Sequence, residues 1–366
     1  MEKGIVFLTP SLKIGGGNRV FVELANELVR DGYDAEIIYP NNSKEASTFN
    51  LNKDVKTLKI SNFKDNKLKK LFNLLQTLWF VKNNRKDKIV IVSDPIMAIF
   101  SFLLKGLDVH RFMQADDYII FDDLFLLKNK FVLHIYKKFT KISYGYRFVN
   151  YVFNSKFVCD SFIKISKRKD VNFNLVHPGI NLSIFFNKNI RKDDELNICL
   201  VARKHPWKGF ADFIKVWAEL KKDKSNKINN IYIISNDDLS GFDISDYTLI
   251  KSSNDNEIAE IYNKSHIFIS TSWWEGFGLP PLEAMACGCA VILTNAGGVN
   301  EYAAPNINCL MYEPRKTSEL KEKLMLLIHN KELRTHLFLN ALETAKSFSW
   351  AKSKNEFLKV LNTNHF

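Results

Sequence analysis

The chain has 366 residues, 46% of them hydrophobic and 13% aromatic, which is typical of a globular protein. A chain of that length is too long for a single hydrophobic core, so we expect two domains. Each would be large enough to fold without stabilising crosslinks. The formal net charge is +12, and residues 1–186 hold 29 Lys and Arg against 18 Asp and Glu. A basic first half indicates nucleic acid, an anionic membrane or an anionic substrate as partner, with solubility as the simpler explanation.

Cysteine usage and the chain start indicate the compartment. The five cysteines form no CxxC pair, and three stand in apolar segments, which is typical of a reducing compartment. Met1 leads within four residues into IVFLTP, without the basic start, long apolar run and cleavage site of a signal peptide. The longest apolar run, residues 89–104, is interrupted by Asp94 and Pro95 and is too short to span a bilayer. We therefore expect a cytoplasmic protein.

The first elements predict a βαβ unit. Residues 4–10 form a continuous apolar strand, a glycine loop follows, and an amphipathic helix ends at Gly32 before a second strand, AEIIYP. The three glycines at 15–17 are similar to a phosphate loop. However, GGGNRV does not match GxGxxG, and the chain contains no GxxxxGK[ST].

Two basic, apolar stretches follow in the first half. Residues 64–88 place leucines, Phe72 and Trp79 at helical spacing between lysines, which predicts either a core-facing helix or a helix on a membrane surface. Residues 128–147, KNKFVLHIYKKFTKISYGYR, favour a membrane or an acceptor that carries lipid phosphate. No recognisable nucleic-acid motif accompanies them, so we expect no nucleic-acid partner.

Residues 89–95, IVIVSDP, predict another buried strand, and the later segment HRFMQADDYIIFDD holds a polar cluster near an expected strand end. Its members are Gln114, Asp116, Asp117, Asp122 and Asp123. Strand ends of doubly wound sheets face the ligand crevice, so we expect Gln114, Asp116 and then Asp117 to be cleft residues. The alternative is a solvated acidic turn.

A second unit begins after a linker. Pro178 and Gly179 suit a turn, a polar run covers residues 187–195, and a strand, a loop and a helix then restart. Arg203 and Lys208 stand five positions apart across that strand-to-helix loop. Two cations so placed can hold one anion, Arg as a planar fork and Lys as a point charge. The alternative is a basic surface loop.

Residues 267–302 predict strand, loop, helix and strand in sequence. Gly276 and Gly278 expose the backbone just before the helix, where N–H groups and the positive dipole end suit a phosphate. Glu275 and Glu283 bracket this turn, so both could face one ligand. Taken singly, Glu275 could be a solvated loop acid and Glu283 a helix residue favoured by the dipole.

Taken together, the order Glu, Gly-Phe-Gly-Leu-Pro, Glu-Ala-Met-Ala resembles the donor-binding segment of family 4 GT-B glycosyltransferases, whose signature is two glutamates separated by seven residues. The resemblance covers nearly the whole chain and is strongest over residues 199–302. It implies an α/β fold with two Rossmann-like β/α/β domains facing a cleft. The acceptor domain would span residues 1–186, the nucleotide-sugar domain 187–345, and a C-terminal helix at 346–366 would cross back to the first domain.

The resemblance also implies roles for individual residues. Arg203 and Lys208 would grip the distal phosphates of the donor, Glu275 would orient the sugar, and these three would be catalytic. Glu283 would bind the ribose hydroxyls. The full donor-binding set is Gly16, Gly17, Arg203, Lys208, Glu275, Gly276, Phe277, Gly278, Leu279 and Glu283. Gln114, Asp116 and Asp117 would lie on the acceptor side.

The implied reaction is hexosyl transfer with retention from a UDP-, GDP- or dTDP-sugar to a saccharide acceptor. A lipid-linked acceptor would place the enzyme in bacterial surface polysaccharide synthesis, at the inner face of the plasma membrane. No cofactor is expected, and the sequence has neither an Asp-x-Asp strand-end motif nor a His/Cys ligand set, so no metal is expected. The alternatives are a non-catalytic glycosyltransferase-like or membrane-binding module, and a nucleotide-sugar epimerase on the same fold.

Overall fold

The computed structural model describes residues 4–12, 15–40, 50–60, 67–120, 129–190, 196–223, 226 and 228–363. Asp122, Asp123 and Lys128 therefore lie outside the described residues. The chain divides into two units. Unit 1 comprises Met1–Pro178 and Trp350–Phe366, and unit 2 comprises Gly179–Ser349.

Unit 1 is built on a parallel six-stranded sheet in the order β3-β2-β1-β4-β5-β6. The strands are β1 (Ile5–Leu8), β2 (Ala35–Pro40), β3 (Lys56–Ile60), β4 (Ile89–Val92), β5 (Asp108–Met113) and β6 (Val149–Phe153). The continuous apolar runs of β1 and β4 are buried on both faces, as central strands of a parallel sheet must be. The strand order reverses between β1 and β4, which is where such sheets bind ligands.

Helices cover both faces of this sheet. One face carries α1 (Gly16–Arg30) and the C-terminal α11 (Trp350–Thr363). The other carries α2 (Lys67–Asn84), α3 (Pro95–Ile99), a 3-10 helix at Phe100–Leu104, α4 (Lys130–Tyr144) and α5 (Lys156–Ser166). The predicted glycine loop is shorter than expected, because Gly15 is the N-cap and Gly16 and Gly17 form the first turn of α1.

The end of the chain belongs to unit 1. Ser353 Oγ donates a hydrogen bond to the carbonyl of His177 at 2.6 Å, and Glu356 accepts one from the His177 N–H at 2.9 Å. Lys354 forms an ion pair with Asp31 at the end of α1. These contacts secure α11 on the same sheet face as α1.

Unit 2 contains a second parallel six-stranded sheet, in the order β12-β11-β10-β7-β8-β9. Its strands are β7 (Leu196–Val201), β8 (Ile228–Ile234), β9 (Thr248–Ile250), β10 (Ile267–Ile269), β11 (Ala290–Thr294) and β12 (Leu310–Tyr312). Its helices are α6 (Phe210–Leu220), α7 (Asp255–Lys264), α8 (Leu279–Ala286), α9 (Thr317–His329) and α10 (Lys331–Lys346). The order reverses between β7 and β10.

Two parallel sheets covered by helices on both faces confirm the predicted α/β class. Helices α6 and α9 share one apolar core with the unit 2 sheet, and α7 and α8 share the other. Within the described ranges, no helix has the length and apolar character needed to cross a bilayer.

Candidate functional site

The candidate site lies in unit 2, where the loops after β7 and β10 leave the sheet side by side. Arg203 follows β7 and Glu275 follows β10, and these neighbouring strands mark the reversal of strand order. Ligands of open α/β sheets bind outside the carboxyl ends of strands at such a point.

Lys208 and Glu275 meet in this structure, although 67 positions separate them. Lys208 Nζ donates a hydrogen bond to Glu275 Oε1 at 2.6 Å. Two further bonds hold the loops together: Thr271 Oγ1 donates to the Lys208 carbonyl at 2.8 Å, and the Trp273 N–H donates to the Trp207 carbonyl at 2.7 Å. The ion pair is therefore held by two loops that are hydrogen-bonded to each other.

Two glycines allow these loops to approach. Gly209 has φ +63°, and a Cβ there would lie 2.0 Å from the carbonyl oxygen of Thr271. A Cβ on Gly298 would lie 2.0 Å from the Gly276 carbonyl oxygen, and the Gly298 N–H donates to the Glu275 carbonyl at 2.9 Å. Any side chain at either position would push the backbone around Glu275 out of place.

Helix α8 begins directly after Glu275-Gly-Phe-Gly. Gly278 is its N-cap with φ +87°, and Tyr302 Oη donates to the Gly278 carbonyl at 2.6 Å. Pro280 and Pro281 have no N–H, and no acceptor within the described residues pairs with the N–H of Gly278 or Leu279. The start of α8 thus offers backbone donors and the positive end of a helix dipole to an anion.

The remaining predicted donor residues of this segment are buried. Phe277 packs against Tyr302 with ring centroids 5.5 Å apart and against Phe348, so its side chain anchors the loop from inside unit 2. Glu283 lies about one turn after Leu279 in α8 and is 5% exposed. A carboxylate at that depth requires a polar partner.

Arg203 is held by a residue that the sequence analysis did not identify. Its Nη1 lies 3.3 Å from Asp237 Oδ1, and Asp237 Oδ2 accepts a hydrogen bond from the Lys204 N–H at 3.0 Å. Asp237 follows β8, the strand next to β7. The sequence did carry a signal, since Asn236, Asp237 and Asp238 come one residue after an apolar strand.

An aromatic row adjoins the ion pair and was also missed. His205 stacks on Trp207 at 4.4 Å between ring centroids, and Trp207 stacks on Trp274 at 6.0 Å. Burial lowers the pKa of His205 from its ordinary value, so its imidazole is neutral near neutral pH. Flat aromatic faces beside a few placed polar groups are typical of small-molecule sites.

In unit 1, the structure brings the predicted residues Gln114 and Gly17 together. Gln114 Nε2 donates to the Gly17 carbonyl at 3.1 Å and to Ser93 Oγ at 2.9 Å. Gly17 lies in the first turn of α1, Ser93 follows β4 and Gln114 follows β5. Gly17 and Ser93 follow β1 and β4, between which the strand order reverses, and Gln114 reaches both from the end of the neighbouring strand β5.

Asp116 and Asp117 are buried rather than exposed to solvent. Asp117 Oδ2 accepts a hydrogen bond from Arg111 Nη2 at 2.6 Å. Burial raises the pKa of Asp117 to about 6, and the Arg111 charge opposes that rise. Asp116 accepts bonds from the N–H groups of Tyr118 and Ile119 and from Ser161. Both carboxylates therefore hold the segment after β5 in place.

Within the part of the chain that the structure describes, no group of three or more His, Cys, Asp or Glu side chains could hold a metal ion. Fixed positive charge at the unit 2 site comes from Arg203, Lys208 and the start of α8.

Residues 244–343 match the family described as glycosyl transferases group 1. The matched segment contains Glu275, Glu283 and the glycines between them, whereas Arg203 and Lys208 precede it. This match confirms the glycosyltransferase relationship expected from the paired glutamates.

Curated relatives agree over part of their length. An uncharacterized glycosyltransferase of Methanocaldococcus jannaschii is 41% identical over 96 residues, 26% of this chain and 27% of that protein. The Campylobacter jejuni N,N'-diacetylbacillosaminyl-diphospho-undecaprenol alpha-1,3-N-acetylgalactosaminyltransferase is 27% identical over 246 residues, 63% and 64% of the two chains. The chain thus spans less than two thirds of the length of these two relatives.

Among solved structures, the sucrose-phosphate synthase of Thermosynechococcus elongatus superposes with a TM-score of 0.82 over 99% of both chains, at 14% sequence identity. At that identity the likeness concerns the fold alone. The GT-B fold expected from the sequence is thereby confirmed.

Proposed function

We propose that this chain, whose residues 244–343 belong to the glycosyl transferases group 1, moves a sugar from a nucleotide-sugar donor to a saccharide acceptor. The observation that carries the proposal is the half-buried Lys208–Glu275 pair, 2.6 Å apart and next to the start of α8. A cation, a carboxylate and backbone donors meet there, as a diphosphate and a sugar require.

The donor diphosphate would bind between Arg203, Lys208 and the N–H groups of Gly278 and Leu279. Charge develops on the leaving diphosphate as its bond to the sugar breaks, and fixed cations stabilise that charge without reorganising. Lys208 is paired with Glu275 in this structure, so an arriving phosphate would share or replace that partner. Glu275 would then be available to the sugar hydroxyls.

Glu283 would bind the ribose hydroxyls of the donor. It is 5% exposed, so the surrounding core of unit 2 would hold its carboxylate in one position for hydrogen bonds from the ribose. A rigid acceptor favours recognition because little side-chain entropy is lost on binding.

We also propose retention of the anomeric configuration without a metal ion. The acceptor hydroxyl would attack the anomeric carbon on the face that the diphosphate leaves. The carbon–oxygen bond to phosphate breaks, its electron pair stays on the diphosphate, and the departing phosphate takes the acceptor proton. Arg203 and Lys208 supply the positive charge that this step needs.

We assign the acceptor to unit 1 and Gln114 to its binding, with Asp116 and Asp117 positioning the segment that carries it. A lipid-linked saccharide acceptor and bacterial surface polysaccharide synthesis are supported by the Campylobacter jejuni relative, whose name specifies a diphospho-undecaprenol-linked acceptor, and by the basic first half of the chain. The roles of Gly16 and Gly17 beside the donor stay predictions.

A thermal-shift screen tests the donor site. UDP, GDP, dTDP and ADP and their sugars would be added to the wild type, Glu283→Ala and Glu283→Gln. A ligand at about 100 times its dissociation constant adds about 2.7 kcal/mol of stability. We expect one nucleotide class to stabilise the wild type and to lose its effect in both variants.

Glu343→Ala is the matched control, because Glu343 forms an exposed ion pair with Lys346 on α10. This variant should respond to the nucleotide as the wild type does. If no nucleotide or nucleotide sugar stabilises the wild type, the donor site is not functional and the proposal is abandoned. Release of free sugar from the donor without acceptor would further separate a transferase from an epimerase or a non-catalytic module.

A further inference from the structure

Helix α4 is oriented on unit 1 by polar contacts. Tyr136 Oη donates to the Asp117 carbonyl at 2.5 Å, and Ser143 Oγ accepts from Arg111 Nη1 at 3.0 Å. Thr140, Ser143 and Tyr144 are buried on the same side of the helix. The inward face of α4 is therefore composed of hydroxyl-bearing residues, of which Tyr136 and Ser143 have defined hydrogen-bond partners.

The apolar residues of α4 face outward instead. Their side chains are between 37% and 71% exposed: Phe131, Val132, Ile135, Phe139 and Ile142. At about 100° per residue these five positions fall on one stripe roughly 100° wide. A surface helix of a globular domain normally turns such a stripe toward the core, so α4 has the reverse arrangement.

A basic stripe runs along one flank of this apolar stripe. Lys130, Lys138 and Lys141 are exposed there, and Lys137 Nζ lies 4.9 Å from the centre of the Tyr118 ring. The helix KFVLHIYKKFTKISY contains no Asp or Glu. Its outward surface thus combines apolar side chains with positive charge of one sign.

Neighbouring elements extend the exposed apolar surface. The 3-10 helix Phe100–Leu104 packs beside both α4 and α2, and it exposes Phe102. Helix α2 exposes Phe72 and Trp79, each by more than half of its surface. Large exposed apolar patches rimmed by charge mark interaction sites.

We propose that α4 docks unit 1 onto an anionic lipid bilayer, with Phe131, Ile135, Phe139 and Ile142 at the boundary of headgroups and acyl chains. The lysines on the flank would lie among the lipid phosphates. An apolar face with a lysine-rich flank is what interfacial helices use, and each lysine near an anionic surface adds to the affinity.

The same charges argue against a second copy of this chain as the occupant. In a symmetric dimer the identical faces meet, so the lysines of both copies would be brought together without acidic partners on α4. For its biological meaning, a lipid-linked acceptor, the inference rests on the proposed function. Binding to lipid can nevertheless be measured without any transfer reaction.

Flotation of the full chain with vesicles tests the proposal. One set would contain phosphatidylcholine with phosphatidylglycerol, and the other phosphatidylcholine alone, each at low and at high salt. We expect the protein to float with the anionic vesicles at low salt and to be released in large part by high salt, because exposed charges are screened.

Two variants separate the contributions. Phe131→Ser with Phe139→Ser removes apolar contact and should lower binding roughly tenfold or more. Lys130→Gln with Lys138→Gln and Lys141→Gln should lower it about fivefold per lysine. Leu339→Ser, at an exposed leucine of α10 in unit 2, is the matched control and should bind like the wild type.

Each outcome of these experiments either supports or overturns the docking of α4 on lipid. Unchanged flotation of the two α4 variants, or equal flotation on neutral vesicles, would overturn the proposal. So would a wild-type dimer that Phe131→Ser dissociates in sedimentation and that ignores vesicles. The nucleotide response in the thermal-shift screen should stay intact in all α4 variants, so failure of lipid binding leaves the donor-site proposal standing.

Discussion

Two ion pairs of the same length lie in the two units and differ in burial. Arg111 Nη2 and Asp117 Oδ2 are 2.6 Å apart in unit 1, and Lys208 Nζ and Glu275 Oε1 are 2.6 Å apart in unit 2. The side chains of the first pair are 2% and 3% exposed, and those of the second pair are 27% and 19% exposed. The distance between nitrogen and oxygen therefore does not distinguish an ion pair that stabilises the fold from one at the candidate site. The exposure of the two side chains to solvent does.

The physical consequence of burial is opposite for the two pairs. A buried pair cannot exchange its partner for a ligand, and the loss of one member leaves an uncompensated charge in a medium of low dielectric constant. A pair that stays partly exposed contributes less to stability, because water and salt screen it. Its members can instead turn to an anion that reaches them. The predictions below test this division from the largest expected effect to the smallest.

Asp117→Asn should destabilise unit 1 by about 3–5 kcal/mol, because it leaves the Arg111 guanidinium buried without its counter-charge. The melting temperature should fall on the order of 10 °C for a unit of this size. The measurement belongs well above the pKa of Asp117, about 6, where the wild-type carboxylate is ionised.

Asp160→Asn on α5 is the control, since Asp160 is exposed and its loss should hardly change the melting temperature. The Asp117 variant should retain its response to donor nucleotide as long as it is folded. A melting temperature equal to that of the wild type would mean that the buried pair is not a structural element, and the comparison would fail on that side.

Lys208→Ala should act in the other direction, on turnover and not on stability. Removing one preorganised group that stabilises developing charge costs about 100- to 1,000-fold in kcat. The melting temperature without ligand should change little, because the pair is about a quarter exposed. The measurement is sugar transfer by the purified variant. Turnover equal to that of the wild type would show that Lys208 takes no part in the reaction.

Sequence reasoning predicted most of the fold because the signals are local. Continuous apolar runs such as IVFL and IVIV become the buried central strands, and alternation with helices specifies parallel sheets. The start of α1 was missed because glycine is a weak helix former and GGGNR indicates a loop. Here Gly16 and Gly17 nevertheless form the first helical turn.

The candidate site was predictable only in part. The spacing of Glu275, Gly276, Gly278 and Glu283 is a local pattern in the sequence. It predicts the loop and the helix that carry these residues. The burial of Asp117 depends on Arg111, which stands within the strand β5 and gives no sign in the sequence that its side chain turns toward an acid. Long-range pairs of this kind need the packed structure, and the same holds for Asp237.

Asp237→Ala should give the smallest effect, a two- to fivefold weaker affinity for the donor nucleotide, roughly the worth of one exposed ion pair. Asp237 lies 3.3 Å from an Arg203 side chain that is 40% exposed, so the pair itself is weak. The carboxylate also fixes the Lys204 N–H at 3.0 Å and hence the loop that carries Arg203. We expect the lost ordering of that loop to outweigh the removal of one negative charge near the diphosphate.

Asp238→Ala is the control in the same nucleotide titration, because the Asp238 carboxylate accepts a hydrogen bond from the Ser240 N–H and, within the described residues, not from the loop that carries Arg203. Tighter binding by the Asp237 variant would show that charge repulsion outweighs the ordering of the loop, and Asp237 would then compete with the donor for Arg203 instead of supporting it.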